Sequence, residues 1–190
     1  MPANEAQLIA AWKDGGEGAF AALYDLYARK IYDYLYYRTH HRETAEDLAS
    51  TTFLKALESG SRFDPEKGGF GPWIYRIARN TLIDHYRSAK PSSDIEDVWD
   101  ALKSGEDVAR DAETRERLRA VEARLQDLPS GQREILLLRL WDGLSHAEIA
   151  AITGKSEAAS KMAFSRGLSN LRKDGSLLAL FLVLHHFIKS

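Results

Sequence analysis

Two stretches of this chain hold residue types suited to gripping nucleic acid. The first runs from Arg62 and Phe63 through Lys67 and Phe70 to Trp73, Arg76, Arg79, Asn80, Tyr86 and Arg87. It interleaves cations with aromatic rings, the combination that binds single-stranded DNA because cations hold phosphates while rings stack on unpaired bases. The same composition also suits a solvated helix face, and on this segment alone the solvated face is the preferred reading. Trp73 and Ile77 divide between a binding surface and core. The second stretch is Ser156, Glu157, Ser160, Lys161, Ser165, Arg166 and Arg172. Short polar and cationic side chains near the start of a helix are what reads base edges and phosphates in a groove. No enzymatic constellation accompanies either stretch: there is no Gly-rich phosphate loop, nucleophile elbow or carboxylate dyad. The adjacent pairs His40, His41 and His185, His186 point about 100° apart on a helix and are poorly placed to share a metal, so capping or exposed roles are expected for them. Asp84 with His85 is the remaining candidate pair, and no further carboxylate is fixed beside it by spacing. We expect no catalysis, no metal, no cofactor and no small-molecule substrate.

Helices must position these groups. From Glu17 to Arg38, Phe20, Leu23, Tyr24, Tyr27, Ile31, Tyr34 and Leu35 recur at three- and four-residue steps, which predicts a long amphipathic helix preceded by a short one over Glu5 to Trp12. A second helix is predicted over Thr44 to Glu58, with Thr44 and Asp47 as a capping box and Ala45, Leu48, Phe53, Ala56 and Leu57 inward. The Gly- and Pro-containing loop Ser59 to Gly71 follows, and a third helix starts at Pro72 and runs to about Ser88. Lys90 to Ala112 is acidic with thin apolar periodicity and reads as a linker. Beyond it Leu118, Val121, Leu125 and Leu128 form a stripe stopped by Pro129. Ser130 is then expected to cap a helix over Arg133 to Trp141. Ser145 caps a short helix through Ile152, Gly154 turns the chain, and Ser156 caps a longer helix to Lys173, expected to bury Ala159, Met162, Leu168 and Leu171. Short helix, Gly turn, longer helix is a helix-turn-helix arrangement.

The predicted fold class is therefore all-α. Two small helical domains, 1–89 and 113–174, are joined by an acidic linker, 90–112, and followed by an apolar C-terminal helix, 175–190. In 190 residues, 26 basic and 28 acidic side chains give a formal charge of −2, which excludes a bulk polycationic DNA coater and makes any nucleic-acid affinity local. The absence of Cys excludes disulfides and thiolate metal sites, and with no signal-peptide pattern in Met1 to Trp12 the expected location is cytoplasmic.

Three segments in this order, AEDLASTTFLKAL from Ala45 to Leu57, FGPWIYRIARNTLIDHYR from Phe70 to Arg87, and LPSGQREILLLRLWDGLSHAEIAAITGKS from Leu128 to Ser156, give the chain a family resemblance. It resembles the sigma factors of bacterial RNA polymerase, in the extracytoplasmic-function (ECF) group that keeps two globular domains, over about Glu17 to Lys173. The resemblance implies a sigma region 2-like first domain and a region 4-like second. Core RNA polymerase would be bound through Glu46, Asp47, Leu48 and Ser50, with Phe53 holding the core. The minus-ten element would be opened and captured by Arg62, Phe63, Trp73, Arg76, Arg79 and Asn80, with Asp84 beside them. The minus-thirty-five element would be read by Ser156, Glu157, Ser160, Lys161 and Arg166. The partners implied are core RNA polymerase, promoter DNA and an anti-sigma factor. A sigma-like decoy or adaptor, meeting an anti-sigma partner without productive promoter reading, is the rival.

Three departures from the family pattern stand out. Ser50 and Thr51 replace a usual Gln and Glu, weakening the expected polymerase contact, and Ala163 stands where an Arg is usual in the recognition helix. The segment GSLLALFLVLHHFIKS, Gly175 to Ser190, extends past the usual end. It is shorter than the about 20 apolar residues that span a bilayer, so packing against the second domain or a partner is expected, with surface membrane attachment the lesser alternative.

Overall fold

The computed structural model describes residues 3–16, 18–39, 41–89, 124–125 and 127–173. The acidic linker, the helix expected from Thr114 as far as residue 123, His40, His185, His186 and the apolar segment from Gly175 lie outside the described residues. The chain divides into two compact units, Met1–Ser93 and Asp94–Ser190. Among the described residues the regular structure is helical, as the periodicity predicts.

The first unit contains α1 (Ala3–Lys13), α2 (Ala19–Thr39), α3 (Arg42–Glu58), one 3-10 turn (Gly60–Arg62) and α4 (Phe70–Ala89). Helix α2 is its spine, packed against α1, α3 and α4. Leu23, Tyr27, Ile31, Tyr34, Leu35 and Arg38 follow one another at helical spacing and are buried. Arg38 is the unusual member. Its guanidinium lies 3.7 Å from the centre of the Tyr34 ring, and Nη1 donates to the Tyr34 carbonyl at 2.8 Å. A desolvated cation held over a ring gains more than an exposed one. The Tyr86 hydroxyl donates to the Arg38 carbonyl at 2.9 Å, tying the end of α4 to the end of α2, and burial pushes its pKa up to about 12.

Two expected helix starts move. Helix α3 begins at Arg42, capped by His41, whose Nδ1 accepts the Thr44 N–H at 3.3 Å. An imidazole nitrogen thus does the work expected of the Thr44 hydroxyl, and Thr44 falls inside the first turn. Helix α4 begins at Phe70, two residues before Pro72, which still lies where a missing N–H costs nothing. Phe53 is buried, as expected, but Leu57 is 53% exposed, because it falls on the outward face of α3 with Leu54, while Ala56 in the same turn points inward. On α4 the buried Thr81 hydroxyl has no hydrogen-bond partner among the described residues. Removing an unsatisfied buried polar group without changing shape is favourable, so Thr81→Val is expected to stabilise the first unit by about 1 kcal/mol. A lowered denaturation midpoint would contradict that account.

The second unit contains α5 (Ser130–Leu140), α6 (His146–Thr153) and α7 (Glu157–Lys173). Helix α5 starts three residues before the expected Arg133. Pro129, not Ser130, occupies the N-cap position, with no side-chain hydrogen bond, since proline's fixed φ leads into a helix without one. Arg133 turns inward instead: Nε donates to the Leu125 carbonyl at 2.8 Å and Nη2 to the Leu128 carbonyl at 3.1 Å. Leu125, Leu128, Leu136 and Leu171 form one cluster of the core, flanked by Leu137, Leu140, Trp141, Phe164 and Leu168, and Ile135, Leu138, Ile149 and Ile152 are buried as well. Ser145 caps α6 in a reciprocal box with Glu148, and Gly154, at φ 71°, closes the helix in the left-handed region that glycine enters without strain. The Ser156 hydroxyl accepts the Ala159 N–H at 3.1 Å, so α7 begins where the serine predicts.

Candidate nucleic-acid interface

In the first unit the loop 59–69 and α4 carry the expected strand-binding residues. The loop folds inward at Phe63, which is only 3% exposed. Its ring packs against Trp73 at 4.9 Å, Phe70 at 5.9 Å and Trp12 at 6.0 Å. Phe63 therefore belongs to the packing beneath the loop and not to a surface on which a base stacks, contrary to its expected role. Trp73 is half-buried in the same aromatic cluster. Arg62, Arg76 and Asn80 are exposed, and Arg79 is half-buried. Trp73, Arg76, Asn80 and Asp84 succeed one another at helical three- and four-residue steps and share a face of α4, while Arg79 lies about 120° round from Trp73. Asp84 is paired with Lys55 of α3 at 3.5 Å. In the loop, Lys67 lies 3.0 Å from Asp64 and holds its carboxyl below the usual carboxylate range.

The loop is anchored by residues that sequence reasoning did not single out. A Cβ at Gly60 would collide with Trp12 Cζ2, so this glycine is what lets the indole lie against the loop. Lys13 Nζ donates to the Phe63 carbonyl at 2.9 Å. These contacts join residues some fifty positions apart, and no local pattern announces them.

On α3, Glu46, Asp47 and Ser50 are exposed, whereas Leu48 is buried; Leu48 packs the helix onto the unit and is withdrawn from the expected polymerase contact. Glu46 pairs with Arg42 at 2.8 Å, and the Ser50 hydroxyl donates to the Glu46 carbonyl at 2.9 Å. Asp47, Ser50, Leu54 and Leu57 continue along one face, and both leucines are exposed. That apolar end of the face was not anticipated.

In the second unit Ser156, Glu157, Lys161 and Arg166 are exposed on α7, but Ser160 is fully buried, its Oγ 3.0 Å from His146 Nδ1. Ser160 therefore holds α7 to α6 and is not available to a groove. Burial lowers the His146 pKa, reinforced by Arg139 and Lys161. Met162, expected inside, is exposed instead, because the inward face passes through Ser160 and Gly167. Lys161 lies 2.6 Å from Glu157 and lowers its carboxyl pKa. Among the described residues no group of three or more His, Asp or Glu is placed to hold a metal ion, and no helix is long and apolar enough to cross a membrane.

Comparison with known proteins matches residues 23–91 to sigma-70 region 2 and residues 118–171 to sigma-70 region 4. The chain is 34% identical to the ECF RNA polymerase sigma factor BldN of Streptomyces coelicolor over 88% of its own length, and spans 64% of that relative. It is 30% identical to the RNA polymerase sigma factor SigZ of Bacillus subtilis, covering 80% of this chain and 84% of the relative. The solved structure of CnrH in complex with the cytosolic domain of CnrY is similar in fold, with TM-score 0.68 and 22% identity over 90% of this chain and 96% of that one.

Proposed function

Since this chain belongs to the sigma factors of bacterial RNA polymerase, in their ECF group, we propose that it binds core RNA polymerase, recognises promoter DNA and promotes strand opening at initiation. It works by binding rather than by covalent chemistry. The observation that carries the reading is the match of both sigma regions, in order, to the two compact helical units.

In this reading residues 1–89 are the region 2-like domain and 113–174 the region 4-like domain. The exposed face of α3, Glu46, Asp47 and Ser50, meets core polymerase. Trp73, with Arg62, Arg76, Arg79 and Asn80, receives the unpaired minus-ten strand. A base stacked on a ring recovers about 1–3 kcal/mol, and a few such contacts with cationic hold on phosphates offset the unstacking of an AT-rich step. Ser156, Glu157, Lys161 and Arg166 meet the minus-thirty-five duplex. The protein acts in the cytoplasm, where an anti-sigma factor restrains it.

Because Lys161 carries a charge at the exposed start of α7, Lys161→Ala is expected to weaken duplex binding across sequences and to reduce the salt slope by about 1. An unaltered slope would show that this helix stays out of the groove.

Run-off transcription with purified core polymerase tests the whole reading. A transcript that depends on the added chain is expected. The decoy reading is favoured by two features of the sequence, Ala163 in place of the usual Arg and the apolar segment from Gly175, and it requires the opposite result: a chain that binds partners yet starts no transcript.

A further inference from the structure

We propose that Trp12 and Lys13, at the end of α1, are positioning residues for strand opening: they hold the loop 59–69 in the shape that receives unpaired promoter DNA. This rests on the function proposed above, and adds to it a part of the chain that precedes the matched region, residues 23–91.

Helix α1 packs against α2, and its last turn reaches further. The Trp12 ring contacts Phe20 of α2 at 5.3 Å, but its other ring neighbours are Phe63 at 6.0 Å, Phe70 at 5.8 Å and Trp73 at 6.1 Å. These three are a loop residue and two residues of the first turn of α4. The indole also covers Gly60, which is buried, and leaves no space there for a methyl group. Lys13 adds a directional bond, its ammonium donating to the Phe63 carbonyl. The indole and the ammonium thus fix the first half of the loop, at Gly60 and Phe63, while Arg62 between them stays exposed.

The loop's own restraints are all short-range: a 3-10 turn, a second turn in which the Lys67 N–H donates to the Asp64 carbonyl at 3.1 Å, the Asp64–Lys67 pair, and the Glu66 N–H bonded to Asp64 at 3.1 Å. A loop so weakly held by itself would have to be ordered as DNA arrives, at a cost in affinity. One already packed avoids that cost, which is how preorganisation raises affinity without adding a contact to the ligand. Trp12 also forms a wall behind Trp73, restricting the ring that the proposed function uses for stacking.

The test uses full-length chain assembled with core polymerase. The probe is the single-stranded DNA that the wild-type holoenzyme selects from a random-sequence pool. Trp12→Ala is expected to weaken binding of that DNA about tenfold while affinity for core polymerase stays within about twofold, since α3 is untouched. Trp12→Phe should recover most of the loss, and Lys13→Met, which removes one hydrogen bond and keeps the aromatic packing, should fall between. Equal DNA binding by Trp12→Ala and wild type overturns the proposal and leaves the sigma reading intact. So does a loss of core affinity in step with DNA affinity, which would make Trp12 a general stabiliser of the unit. A wild-type holoenzyme that selects no single-stranded DNA overturns both.

Discussion

Arg133→Ala is expected to destabilise the second unit by about 3 kcal/mol. Arg133 is 3% exposed and donates to two carbonyls, those of Leu125 and Leu128. Alanine leaves the Leu128 carbonyl without the guanidinium and the Leu125 carbonyl with the Leu128 N–H at 3.1 Å. It also removes the aliphatic stem from the core. An unsatisfied buried acceptor costs about 1–3 kcal/mol, and a unit this small has little stability in reserve. Hydrogen exchange reads the effect without needing the two units to unfold together: amide protection in α5, α6 and α7 should fall about a hundredfold, with α2 and α3 unchanged. Protection that stays at the wild-type level would mean the two hydrogen bonds contribute nothing net.

Trp73→Ala is the substitution with the largest expected effect on function. Its ring is packed by Trp12, Phe63 and Phe70 and the residue is half-buried overall, so the ring is held rigid at low entropic cost. On the proposed function, loss of one stacking platform costs about 1–3 kcal/mol, or roughly fivefold to 150-fold in the open complex. Closed-complex binding, which uses duplex contacts elsewhere, should change much less. Permanganate reactivity of unpaired thymines against gel-shift affinity separates the two steps. If both fall together, Trp73 serves the fold and nothing more.

The helices were legible because their apolar residues recur at helical spacing, and α2 shows the rule with its stripe from Leu23 to Leu35. What escaped has physical causes. His41 caps α3 through a ring nitrogen, an acceptor outside the usual Ser, Thr, Asp and Asn set. On α7 the inward stripe includes Ser160 and Gly167, neither of which registers as apolar, so hydropathy placed Met162 inside in their stead. The exposed polar and cationic members of the candidate interfaces could be read from type and position. Phe63 could not, because an aromatic side chain suits base stacking and core packing alike, and only the neighbouring rings decide. The hold of α1 on the loop left no local trace, since a contact across about fifty residues follows from tertiary packing alone.

The fit of indole against bare backbone at positions 12 and 60 has a consequence for how such chains diverge. Neither site is free to drift alone: a side chain gained at 60 is tolerated only where the ring at 12 has already shrunk. Lineages that carry a small aliphatic residue at 12 should therefore admit alanine or serine at 60, and the substitutions should be inherited as a pair.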